Sequence, residues 1–254
     1  MAEGRVRGFL LLIAICIACK PATEPAANKT SAAGPTVRAN VISIRTVEQP
    51  EQRTLTHTIV VAGDRARDTS EHDVWRLFDT KANTVTFVDD IARTYRIESL
   101  QALLTQRRAA TSQPLPPHYP RAKLVRPGTK KPLQGATAEL MVIETGAYKR
   151  ELWLGEHPAI PRGLFAMMHA SEPPTLPLAP MMRHVDEVLM TARGFPLADR
   201  SEVPNGKARL VVDRSVTGIA PKDVPEALFA IPRGYRDLSP ATAAPARPTS
   251  KDRT

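Results

Sequence analysis

Phe195-Pro-Leu-Ala-Asp-Arg-Ser-Glu-Val203, then Pro204, Asn205-Gly206, then Lys207-Ala-Arg-Leu-Val-Val-Asp-Arg-Ser-Val216, decides the fold class. Both flanks read as strands, and Asn-Gly is the preferred two-residue hairpin turn because both residues tolerate positive φ. The same alternation runs through the rest of the chain. Leu55, His57, Ile59 and Val61 share one strand face, with Thr54, Thr56 and Thr58 opposite. Val74–Phe78, Thr84–Val88 and Arg93–Ile97 are short strands separated by turns at Asp79–Asn83 and Asp89-Asp90. Ala138–Ile143 and Tyr148–Leu154 form a later pair. The count is eight or nine strands in meander-like order.

Helices are fewer. Ser99 caps a helix to about Ala110 with Leu100, Leu103 and Leu104 on one side. A short apolar turn covers Leu164–Met168. A second helix starts near Leu178, with Met181, Met182, Val185, Leu189 and Ala192 at helical spacing and Gly194 as its C-terminal cap. Between them, residues 111–131 carry Pro114, Pro116, Pro117 and Pro120 and read as a long loop. The expected class is α+β, mostly β: an open, curved antiparallel sheet, or half-barrel, over a few helices.

The termini have a different composition. Arg5 and Arg7 precede an apolar run, Gly8–Ile17, of the length used by secretory signals and too short to span a bilayer comfortably. Ile17-Ala18-Cys19 resembles a bacterial lipobox, in which cleavage precedes an acylated cysteine; Ala18 supplies the small residue required. Cys16 departs from the aliphatic residue usual three positions before Cys19. The resemblance implies a signal peptide at 1–18, lipidation at Cys19 and a membrane anchor, since two or three acyl chains attach stably where one is marginal. Lys20, rather than Asp, then implies the outer membrane, facing the periplasm. A plain secretory signal and an uncleaved anchor stay open as alternatives. Residues 19–36 read as a flexible tether, 37–238 as one domain, and 239–254 as a disordered tail.

The chain has two cysteines, Cys16 and Cys19, so the folded part is expected to hold no disulfide, thiolate nucleophile or cysteine-bound metal. Its formal charge is +9. For an exported protein this reads as solubility or attraction to anionic lipid, not as nucleic-acid binding. No Gly-x-Ser-x-Gly, His-Glu-x-x-His or phosphate-cradling glycine loop is present, and no enzyme and no cofactor are expected. Asp89-Asp90 and Asp186-Glu187 read as solvated turns or faces, because adjacent side chains diverge. Met167-Met168-His169 and Met181-Met182-x-His184 offer thioether and imidazole groups suited to Cu(I). A metal site at Met181, Met182 and His184 is the weaker alternative, because both methionines already lie on the apolar helix stripe.

Several short segments resemble a group of exported bacterial lipoproteins of unassigned function with the LolA/LolB-like fold, also found in sensor domains of RseB-type proteins. They are Leu77-Phe78-Asp79 with Thr84–Asp89, Arg93-Thr94-Tyr95, Glu151-Leu152-Trp153, Gly194–Leu197, and Leu228–Tyr235, which reads Leu-Phe-x-x-Pro-x-Gly-Tyr. Here Ala147 separates Gly146 from Tyr148, where the group commonly has Gly-Tyr. The resemblance implies a concave face that binds lipid or a lipoprotein's acyl chain. Trp75, Phe87, Met141, Trp153, Phe165, Met167, Met168, Met181 and Met182 are the candidate apolar lining, methionine being adaptable enough for lipid tails. The other reading is a structural or protein-interaction lipoprotein with a filled core.

Overall fold

The structure is a computed structural model that describes residues 34–69, 73–112, 114, 121–145, 148–172, 182–205 and 208–240. The signal, Cys16, Cys19, most of the tether, Met181 and residues 241–254 lie outside the described residues. Strand propensity wins along more than half of the described residues. The strands are β1 (Thr36–Gln49), β2 (Arg53–Ala62), β3 (Arg65–Asp68), β4 (Val74–Asp79), β5 (Thr84–Asp89), β6 (Thr94–Ser99), β7 (Lys123–Val125), β8 (Lys130–Leu133), β9 (Ala136–Glu144), β10 (Lys149–Gly155), β11 (Phe195–Asn205), β12 (Ala208–Pro225) and β13 (Arg236–Asp237). The helices are α1 (Leu100–Thr111), α2 (Leu164–Ser171) and α3 (Arg183–Leu189).

All thirteen strands join one open mixed sheet, in the order β13-β6-β5-β4-β3-β2-β1-β12-β11-β10-β9-β7, with β8 also on β9. It consists of two meanders joined where β1 pairs with β12, from Thr36↔Pro225 to Gln49↔Val211. Every contact is antiparallel except the parallel one between β13 and β6. The fold class is therefore α+β and mostly β, with more strands than the eight or nine expected. β3 reads Arg-Ala-Arg-Asp, β7 and β8 fall in the segment read as a loop, and β13 has two residues. None of these shows the apolar alternation by which strands are recognised.

The hairpin at Asn205 forms, one residue later than expected. Asn205 still pairs with Ala208 as the last pair between β11 and β12, and residues 206 and 207 are not described. The turns after β4 and β5 are copies of each other. Asp79 accepts a hydrogen bond from the amide of Ala82, and Asp89 accepts one from Ala92. Asn83 and Arg93 then take left-handed φ of 54° and 51°. Each Asp closes its turn by bonding to the backbone of its own loop.

Ser99 caps α1 as expected, its hydroxyl accepting from the amide of Ala102, a contact worth about 1 kcal/mol. α3 spans Arg183–Leu189; the expected start near Leu178 lies outside the described residues. Gly194 is not its cap. A Cβ there would lie 3.1 Å from the Gly155 nitrogen, so glycine is required by the approach of β10.

The main core lies between the helices and one sheet face, around Ile42, Ile59, Phe78, Val85, Ile143, Leu152, Leu164 and Leu189. A smaller cluster of Ala39, Ala62, Val224 and Phe229 lies around a short 3-10 turn, Glu226–Phe229. That turn begins the Leu228–Tyr235 motif. Beyond it the Tyr235 hydroxyl donates to Asp90, which also accepts from Trp75 Nε1, and β13 follows onto β6.

The sheet curls over α2. An eight-residue helix is about 12 Å long, yet α2 touches both β4 and β11. Those strands stand five neighbours apart in the sheet, about 24 Å if it were flat. The curl encloses the candidate site.

Candidate functional site

Register carries a line of charged side chains onto the face beneath α2. Asp68 pairs with Arg76 across β3 and β4, and Thr46 with Arg214 across β1 and β12. Arg214 is opposite Asp199, which is opposite Leu152, and Arg150 stands two residues before Leu152 on the same face. His57 lies on β2 opposite Ile44. These groups border a cavity of about 500 Å³ between the sheet and α2. Its wall also includes Leu55, Phe165, Met168, Phe195 and Val216, so the lining is part apolar and part ionic.

Most of the ions are paired. Arg150 grips Asp199 with two hydrogen bonds, Nε to Oδ1 at 2.9 Å and Nη2 to Oδ2 at 2.8 Å. Burial works against the charge on Arg150, but the Asp199 carboxylate outweighs it and raises its pKa. Arg76 donates to Asp68 at 2.7 Å and to the Ser171 hydroxyl at 3.1 Å, tying β4 to the end of α2. Arg214 differs. Its nearest carboxylate among the described residues is Asp199 at 4.0 Å, already held by Arg150, and its side chain is half-exposed. His57 is pushed toward its neutral form by burial and by the charges of Arg214 and Arg76, against the pull of Asp68.

Beside the cavity the helices are bolted by a buried triad. His169 Nε2 lies 2.8 Å from Asp186 Oδ1, and Arg107 Nη2 donates to the same oxygen at 3.0 Å. Arg107 Nη1 also donates to the carbonyls of His169 and Glu172, closing the end of α2. Burial opposes the charge of Asp186, yet the hydrogen bonds from His169 and Arg107 hold its carboxyl below the ordinary value. The triad thus ties α1, α2 and α3 together.

The nine candidate lining residues do not share one wall. Phe165 and Met168 border the cavity. Met167 is buried in the core, and Met182 packs against it. Phe87 is on the cavity face but farther along, beneath the guanidinium of Arg96 at 4.1 Å. Met141 borders a different groove, of about 680 Å³, with Leu154, Val188 and Ala192. Trp75 lies on the opposite sheet face, under Arg67 at 3.8 Å. Trp153, opposite Ala198 and Leu140, also faces away from Leu152 and carries Lys131 at 3.8 Å. Met181 is outside the described residues. His184 is exposed, and no group of three or more His, Cys, Asp or Glu able to hold a metal occurs among the described residues.

One reading is corrected: Asp186 is 2% exposed and meets Arg107 and His169 through Oδ1, so it is not part of a solvated face, while Glu187 beside it is exposed. Asp90 lies in an exposed turn, as expected, and there accepts from Trp75 and Tyr235. The residues missed altogether are Arg107, Arg150, Asp199 and Arg214. Each had a signal. Arg107 occupies the apolar stripe of α1, seven residues after Leu100, and Arg214 sits between Val212 and Val216 on an alternating strand face.

No protein-family model and no curated protein matches the chain. Among solved structures, it is similar to PNGF-II in two crystal forms, at 9% identity. Their TM-scores are 0.45 and 0.40, each covering 80% of this chain, which spans about a third of PNGF-II's length (31% and 32%). It is also similar to the LolA superfamily protein NE2245 from Nitrosomonas europaea, at 12% identity and TM-score 0.24, covering 76% of this chain and 89% of that one. Likenesses this distant carry no argument about activity.

Proposed function

We propose that this chain is an envelope lipoprotein, anchored through Cys19, whose LolA-like sheet domain takes up the acyl chain of a lipid or lipoprotein beneath α2. The observation that supports this reading is the cavity of about 500 Å³ between the curled sheet and α2. Its volume falls in the range of small-molecule sites. Phe165, Met168, Phe195, Leu55 and Val216 give an aliphatic tail apolar surface in the same cavity as the charged groups. A tail covered there is removed from water at about 25 cal/mol per Å² of apolar surface. Half-buried Met168 is unbranched, so it can adjust to a tail without a change in the backbone.

The test is binding of a fluorescent dodecanoic acid probe to the full chain. Saturable binding that Met168→Lys weakens at least tenfold supports the reading. An unsaturable signal, indifferent to that substitution, removes it.

A further inference from the structure

An acyl chain explains only half of the cavity wall; the other half is ionic. Two of its three arginines are committed. Arg150 has its fork filled by both oxygens of Asp199, and Arg76 is divided between Asp68 and the Ser171 hydroxyl. Arg214 is not committed. It lies on the same face of β12, donates no hydrogen bond among the described residues, and reaches no carboxylate closer than 4.0 Å. With Arg150 already bonded to both oxygens of that carboxylate, Arg214 is pushed out toward the cavity with its planar fork of donors unused. His57 borders the same space and also lacks a hydrogen-bond partner among the described residues.

Resting on the acyl-binding reading above, we infer that the cavity carries a head-group site for a singly charged oxyanion, a phosphodiester or a carboxylate, with Arg214 as its anion-binding residue. Guanidinium suits this role because its parallel N–H groups meet two oxygens of a phosphate or carboxylate at once. Asp68 and Asp199 act as positioning residues. By occupying Arg76 and Arg150 they limit the site to one available cation. Glu48 and Glu172 also border the cavity, and neither carboxylate has an ion pair within 4.0 Å among the described residues. Glu48 faces Val212 across β1 and β12, which makes it the diagonal neighbour of Arg214. Its negative charge opposes a second charge on the ligand, which is why a monoanion is favoured over a dianion.

The test is competition against the fluorescent dodecanoic acid probe, using competitors that share a lauroyl chain and differ in the head. Lauroyl-lysophosphatidylglycerol should displace the probe at about a tenth of the concentration needed by the neutral monolauroylglycerol, in keeping with a charge-assisted pair. The probe's own carboxylate should also bind more weakly to Arg214→Gln, so inhibition constants are corrected for the probe's affinity in each variant. On that scale Arg214→Gln should bring the two lipids within about twofold with the neutral one unmoved, and Arg214→Lys should restore part of the difference. Arg45→Gln removes an exposed charge from the opposite sheet face and should change nothing. Equal displacement by both heads in the unaltered chain would overturn the head-group site and leave acyl binding intact. A probe that does not bind at all would overturn both. Inorganic phosphate bound as tightly as the lysolipid in equilibrium dialysis, and lost in Arg214→Gln, would keep the anion site and assign it to free phosphate. Lauroyl-lysophosphatidic acid, a dianion, binding more tightly than the lysophosphatidylglycerol would overturn the preference for one charge.

Discussion

Arg150 on β10 reaches diagonally to Asp199 on β11 in the cavity lining, joined to it by two hydrogen bonds of 2.9 and 2.8 Å. Their side chains are 16% and 7% exposed. This pair leaves Arg214 4.0 Å from a carboxylate that is already taken, and the proposed head-group site rests on that.

Asp199→Asn leaves Arg150 enclosed without its counter-charge. Breaking one side of such a pair costs about 3 kcal/mol or more, because the remaining ion is stranded. Asp223→Asn breaks a pair in which both side chains are more than half exposed, and it should cost less than about 1 kcal/mol. Urea unfolding of the two variants checks the difference, and equal losses would contradict the account.

Acid should loosen the tie among the three helices. Asp186 has a folded pKa below its unfolded one, so its contribution is complete above about pH 4. It disappears as pH falls through the lowered folded value. Asp186→Asn should therefore unfold more easily at neutral pH and lose less stability between about pH 4 and 2. The readout is the unfolding midpoint measured across that range.

His57 titrates with a different consequence. Its folded pKa is lowered by burial and by Arg214 and Arg76. Above about pH 6.5 both folded and unfolded states hold it neutral. Below that, the unfolded state takes up the proton first, so stability falls until the folded value is reached and then levels. In His57→Gln, the decline in Tm between about pH 7 and 5 should become shallower; an unchanged slope would mean His57 feels no such burial.

Gly194→Ala should destabilise by about 1–3 kcal/mol, since the new methyl meets the Gly155 backbone at 3.1 Å and the Leu154 Cβ at 3.2 Å. Gly218→Ala meets nothing within 4 Å and serves as the control. Thermal unfolding of the two separates close strand approach from a generic loss of glycine.

The strands that alternate, the hairpin at Asn205 and the cap at Ser99 were legible because each rests on neighbours within a few residues. The short strands were not, since Arg65–Asp68 is held by pairing on both sides and not by its own pattern. The site was harder still. Arg107 meets Asp186 across 79 positions, and Arg150 meets Asp199 across 49. Only their positions on otherwise apolar faces hinted that each would need a buried partner. His169 carried a similar hint, as the one imidazole in α2, a helix buried almost all round. The apolar lining was misjudged in part because a strand's two faces cannot be assigned to inside and outside without the sheet: Trp75 and Trp153 face away from the cavity.

The most direct test is native mass spectrometry of the full chain released from bacterial envelopes in mild detergent, followed by extraction and identification of bound lipid. The account predicts one acyl-bearing molecule per chain, lost or reduced in Met168→Lys. A chain that carries no lipid, and gains none when lysophosphatidylglycerol is added, would contradict it.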